Sequence, residues 1–248
     1  MCGIAFFVNY GEKKMNINLF YDLFSMLSTR GTDSSGYYFE RMEEKKSVKR
    51  MIKAPIESKK FIKTMEQWKE GDALYKFKLN GTEKLIMFHC RQKTRGSELN
   101  NKNNMPIASK NYVLIHNGVM LNTKLKDYDY SAEVDSEEIL ARVEKMGIKK
   151  GIKECDGSMS IALKPIDRDT LFLYRNTNPL EIVFMEEDNI LMGCSNANYV
   201  EPFDKTRIGI KIFKTRKNYV ELPSQFLFTL NLNKHSIIKI AEIPCKGE

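Results

Sequence analysis

Met1-Cys2-Gly3-Ile4-Ala5-Phe6-Phe7-Val8 opens the chain, and the reading of its second residue decides the rest. Removal of the initiator methionine would leave Cys2 carrying both a thiol and a free α-amine. That amine has an ordinary pKa of about 7.7–8.0, so near neutrality it can act as a base for its own side chain. The plain alternative is a small buried residue at the head of a strand, because Ile4 to Val8 is an apolar run of strand length. The remaining residues decide between the two.

Working outward, Asn16 to Arg30 carries apolar residues at Ile17, Phe20, Leu23, Phe24 and Leu27, the spacing of one helical face. Arg30 to Gly36 is a turn-rich loop, and Tyr37-Tyr38-Phe39 starts a strand. Met42 to Lys53 is charged and reads as irregular or hairpin-like, and Ser58 to Trp68 as a short amphipathic helix. Lys84–His89 and Tyr112–His116 are apolar strands on either side of the polar loop Thr94–Asn104. Asp135 begins a helix through Met146, with Glu138 three places on in the manner of a capping box. Ser158–Leu163, Thr170–Tyr174, Ile182–Met185 and Ile190–Gly193 read as strands, and Phe226–Leu232 with Ser236–Ile240 as a last β-pair. The economical architecture is one α+β domain over residues 2–248, with 202–248 as a β-rich extension of it.

With 248 residues, 42% hydrophobic and 29% charged, the composition is that of an ordinary globular protein. No apolar run approaches the roughly 18 residues of a membrane span, and no signal-peptide pattern follows Met1, so no membrane partner is expected. Five cysteines (2, 90, 155, 194 and 245) without Cys-x-x-Cys spacing argue against a disulfide framework or zinc site and fit a reducing cytoplasm. Three histidines without ligand spacing add no metal site, so no cofactor is expected. The net charge of +8 gathers at Lys45–Lys63 and Lys205–Lys217, the second reading as a strand with one basic face. Such a face suits a solvated surface, or contact with nucleic acid or another polyanion.

Four motifs concentrate complementary polar groups. Cys2 offers a thiol, the strongest common nucleophile near neutrality. His116-Asn117-Gly118 sets a carboxamide N–H beside a glycine N–H, a plausible oxyanion hole, or equally an Asn-Gly β-turn. Arg91, at the end of an apolar strand, suits a two-pronged grip on a carboxylate, or else pairs with a surface acid. Asp135 fits a helix N-cap or an ammonium grip. Together they make the set that an amino acid with a reactive side-chain carbonyl would need.

In this order the motifs resemble those of the class II glutamine amidotransferase domain, an N-terminal-nucleophile (Ntn) hydrolase found in glucosamine-6-phosphate synthase, asparagine synthetase B and related enzymes. Met-Cys-Gly-Ile resembles the family's start, and Arg30-Gly31-Thr32-Asp33-Ser34-Ser35-Gly36 its Arg-Gly-x-Asp-Ser-x-Gly loop. His89-Cys90-Arg91 through Thr94-Arg95-Gly96, Asn103 to Ile107, His116-Asn117-Gly118 and Asp135-Ser136-Glu137 follow in family order. Asp156-Gly157-Ser158, Arg175 to Pro179 and Cys194-Ser195 continue it, so the likeness covers residues 2 to about 200. Gln92-Lys93 and Arg95 depart from the pattern, in the loop that closes over glutamine.

The resemblance implies a four-layer αββα fold and a set of roles. Cys2 would attack the glutamine side-chain amide, with its α-amine relaying the proton. Asn117 and Gly118 would hold the oxyanion, Arg91 with Thr94 the α-carboxylate, and Asp135 the α-ammonium. Arg30 and Gly31 would shape the site beside Cys2, and His116 would line it. The partners implied are L-glutamine and a separate ammonia-accepting synthase, because only the short tail follows where family members continue into a synthase domain. Two other readings stay open: an N-terminal-cysteine amidase acting on another γ-glutamyl amide, and a non-catalytic regulatory or nucleic-acid-docking subunit.

Overall fold

The computed structural model of the chain describes residues 2–195 and 219–244. Two antiparallel sheets lie face to face among these residues. The first joins β1 (Gly3–Asn9), β2 (Ser34–Glu43), β3 (Lys46–Ala54), β4 (Glu83–Arg91), β9 (Glu181–Met185), β10 (Ile190–Cys194) and β11 (Tyr219–Glu221), in the order β11-β9-β10-β1-β4-β2-β3. The second joins β5 (Ile107–Ala108), β6 (Tyr112–Met120), β7 (Gly157–Pro165), β8 (Thr170–Arg175), β12 (Phe226–Asn231) and β13 (Ile237–Glu242), in the order β13-β12-β8-β7-β6-β5. Helices α1 (Ile17–Leu27) and α2 (Ser58–Gln67) belong with the first sheet, and α3 (Glu137–Met146) and α4 (Ile148–Lys153) with the second.

Three apolar clusters prove the four layers. Ala5 and Phe7 of β1 pack with Phe20 and Phe24 of α1 and Phe88 of β4; the Phe24 and Phe88 ring centroids are 4.9 Å apart. Ile4, Phe6 and Val8 point the other way, meeting Val113 and Ile115 of β6 and Leu171 and Leu173 of β8 between the sheets. Leu114, Ile161 and Leu163 face the far side, against Ile139, Leu140 and Val143 of α3. The alternation follows from the two-residue repeat of a strand. It also explains why Ile4 to Val8 is apolar throughout: β1 sits mid-sheet with both faces covered.

Most expected elements are present within a few residues. The charged stretch after Met42 is a regular hairpin, with Glu44 and Lys45 both at positive φ in its two-residue turn. The six-residue α4, between Gly147 and Lys153, is an element the sequence pattern missed, because Gly147 and Gly151 interrupt the apolar period. The first basic cluster runs along β3 into α2, where Lys49 pairs with Glu40. The second, Lys205–Lys217, lies outside the described residues. No helix among the described residues is long and apolar enough to cross a membrane.

Candidate active site

The strand repeat that builds the middle layer also aims the polar residues at its end. Cys2 shares its face of β1 with Ile4 and Phe6, and His89 and Arg91 share theirs on β4 with Leu85 and Met87. Ser34 shares its face of β2 with Tyr38, and Asn117 its face of β6 with Val113 and Ile115. All five therefore look into the gap between the sheets. Because Gly3 pairs with Cys90 and Ile4 with His89, Cys2 falls opposite Arg91 and diagonally next to His89.

A narrow cleft opens at this end, lined by Cys2, His89, Arg91, Thr94, His116, Gly118 and Asp135 among others. Cys2 is partly exposed, and its thiol donates to Gln92 O at 3.6 Å. Burial pushes the thiol pKa up; the hydrogen bond to Gln92, the positive N-terminus and Arg91 oppose this, while Asp135 adds to it. A thiol held up in this way is protonated near neutrality and needs a base to become a nucleophile.

His116-Asn117-Gly118 is not a turn. The three residues run on within β6, paired with Ile161, Ser160 and Met159 of β7. Asn117 is fully buried, and among the described residues neither its side-chain nitrogen nor its oxygen has a hydrogen-bond partner. Its backbone carbonyl, by contrast, accepts from Asn178 Nδ2 at 2.9 Å. An orphaned buried carboxamide is rare in a folded protein. Gly118 has φ +155°, and a Cβ there would lie 1.9 Å from Ser158 O, so only glycine fits. His116 is buried, with Nδ1 accepting from the Ser136 hydroxyl at 2.8 Å and Nε2–H facing Ser158 O at 3.4 Å. Burial lowers its pKa, with Asp135 and the Ser158 carbonyl opposing.

Arg91, the last residue of β4, is 4% exposed, and among the described residues it forms no ion pair with an acid. Its Nη1 donates to Asn104 Oδ1 at 3.3 Å, and its Nη2 to the carbonyls of Arg95 and Gly96 at 2.5 and 3.0 Å. The loop after β4 thus folds back over the guanidinium, with Thr94 exposed on it. Asp135 accepts from the Met120 N–H at 2.7 Å, which ties the end of β6 to the turn before α3. The expected capping box is absent: α3 begins at Glu137 with Ser136 as N-cap, and Glu138 instead pairs with Arg142 at 2.5 Å.

Arg30 and Gly31 support the cleft from outside its lining. Arg30 is buried and donates to Ser195 Oγ at 3.1 Å and Ser195 O at 3.3 Å, while Ser195 Oγ accepts from the Ile4 N–H at 3.2 Å. The start of β1 is so braced two residues from Cys2. Gly31 lets the backbone pass against the end of β4, where a Cβ would lie 2.3 Å from Arg91 C. The sequence reading left Asn104, Ser136, Asn178 and Ser195 without roles and did not single out His89. Asn104 is fully buried, and beside Arg91 it holds Glu98 O and Asn101 Oδ1. Its place in the Asn103–Ile107 motif was the available signal. Among the described residues no group of three or more His, Cys, Asp or Glu could hold a metal ion.

Against solved structures, the chain matches glutamine phosphoribosylpyrophosphate amidotransferase from B. subtilis, complexed with ADP and GMP, with TM-score 0.64 and 16% identity. That match covers 96% of this chain and 49% of the other. A second, an allosteric regulatory enzyme of purine biosynthesis, matches with TM-score 0.65 and 17% identity over 96% and 48%. The chain thus spans about half the length of these two proteins. No family model and no curated protein matches the chain. At such identities the likeness speaks for the fold alone: this chain folds like about half of each of these two proteins.

Proposed function

We propose that the chain hydrolyses the side-chain amide of L-glutamine with Cys2 as nucleophile, and that the ammonia serves a separate synthase in the cytoplasm. The observation that carries the reading is the buried Asn117 carboxamide, without partners, on the strand face that looks toward Cys2. With Met1 removed, the α-amine takes the thiol proton and Sγ attacks the amide carbon. The oxygen gains charge, and Asn117 Nδ2–H and the Gly118 N–H stabilise it. The C–N bond breaks, the relayed proton goes to the leaving nitrogen, and ammonia departs. Water then attacks the γ-glutamyl thioester, returning the thiol and releasing glutamate. Arg91 and Asp135 supply opposite charges for the α-carboxylate and α-ammonium. A carboxylate at Arg91 would compete with the carbonyls of Arg95 and Gly96, so substrate binding and loop position are coupled.

The test is glutamate and ammonia release by Met1-processed protein, by Cys2→Ala and by a form with an uncleavable N-terminal extension. The reading expects turnover in the first alone. Full activity in Cys2→Ala would refute it.

A further inference from the structure

His89 lines the cleft and has no role in the proposed reaction. It is 1% exposed and shares its strand face with Arg91. Its ring spans the gap between the sheets, and Nε2 lies 2.9 Å from His116 O. A carbonyl can only accept, so the ring proton sits on Nε2 and Nδ1 carries a lone pair. That Nδ1 is buried and has no partner among the described residues. Burial lowers the imidazole pKa to about 3, so the ring stays neutral at working pH and is no general acid.

A carboxamide presents one acceptor, its oxygen, and two donors, its N–H groups. If Asn117 and Gly118 take the oxygen, the N–H groups need an acceptor in the same small space. A carboxylate there would instead set a second oxygen against whatever acceptor is present. We propose that His89 selects the reacting end of the substrate, its Nδ1 accepting an N–H of the side-chain carboxamide and disfavouring a carboxylate or ester in its place. The proposal rests on the glutamine-hydrolase reading and narrows its substrate class to amides that carry an N–H. It also gives glutamate a reason to leave, since the product lacks the donor that the substrate offered.

The experiment compares L-glutamine with L-glutamate γ-methyl ester, which has the same acyl group and no N–H on its leaving group. His89→Gln is the variant, because its amide N–H can still donate to His116 O while the acceptor is moved off the position of the ring Nδ1. The expected result is a loss of about 10- to 100-fold in kcat/KM for glutamine, with the ester changed by less than about threefold. Equal losses on both substrates would make His89 a purely structural bridge and overturn the proposal, as would an unchanged preference. A wild type that cleaves neither substrate would instead overturn the hydrolase reading beneath it. Should His89→Gln fail to fold, ¹⁵N-histidine spectra of Cys2→Ala decide the matter. Saturating L-glutamine should shift the His89 Nδ1 resonance while L-glutamate leaves it in place; equal responses to the two ligands would overturn the proposal.

Discussion

The two walls of the cleft are built by different means. One is strand: Asn117 and Gly118 lie within β6, held by the β7 ladder, by Asn178 on the Asn117 carbonyl and by Asp135 on the Met120 N–H. The other is loop: residues 92–104 are held by side chains, chiefly Arg91, Asn103, Asn104 and the Asp33 carboxylate that accepts from the Lys93 N–H at 2.6 Å. Ladder bonds open only with the sheet, whereas side-chain ties can open one at a time. The difference separates the proposed roles. Groups that would meet developing charge sit on the stiff wall, and the grip on the far end of the substrate sits under the yielding one. Preorganised donors are the ones that stabilise a transition state most, so this division suits the chemistry.

The sharpest way to break the comparison is Asn117→Ala. Losing one oxyanion donor should cost about 2.7–4 kcal/mol of barrier, roughly 10²–10³ in kcat, with KM little changed. A variant that raised KM and kept kcat would move Asn117 off the stiff wall's proposed role. Steady-state kinetics reads this directly.

Next in size is the acid response of the strand wall, because His89 bridges the sheets in its neutral form. Its pKa is about 3 in the folded chain and about 6.5 unfolded, so between these values the unfolded state holds a proton that the folded state does not. This contribution to stability is complete above about pH 6.5 and is lost as pH falls toward 3, by about 1.4 kcal/mol per unit. The lowered pKa of His116 acts in the same direction. Urea unfolding from pH 7 to pH 4 should show this slope, and His89→Gln should reduce it. An unchanged slope would mean that the bridge does not govern the acid response.

How much of this was legible in the sequence follows the same division. The strands and the long helices were readable because each buries a periodic apolar face: Ile4–Val8, Tyr112–His116 and the α1 pattern from Ile17 to Leu27. Gly118 and Asn117 could be named but not placed, since Asn-Gly serves a turn as readily as a strand; the β7 ladder decides, and it is non-local. Asp135 looked like a cap because Glu138 follows at the right spacing, yet its carboxylate reaches Met120, 15 residues away. The loop wall was least legible. Asn104 meets Arg91 only after the chain doubles back, and no local pattern encodes that contact. His89 was hidden by its neighbour, since Arg91 supplied the more obvious chemistry.

The smallest expected effect belongs to that loop. Asn104→Ala should raise the KM for glutamine by up to about tenfold and leave kcat within about threefold, because it loosens Arg91 without touching the strand wall. Limited proteolysis between residues 92 and 104 should quicken in parallel. A fall in kcat equal to that of Asn117→Ala would erase the distinction between the two walls.

The central claim is that Cys2 forms a covalent bond to the substrate's acyl group. Acid quenching of Met1-processed protein during turnover of L-glutamine, followed by peptide mass spectrometry, tests it most directly. The account predicts a γ-glutamyl adduct on Cys2 alone, absent from Cys2→Ala and from protein that retains Met1. An adduct on Cys90, Cys155 or Cys194, or glutamine turnover undiminished in Cys2→Ala, would contradict it.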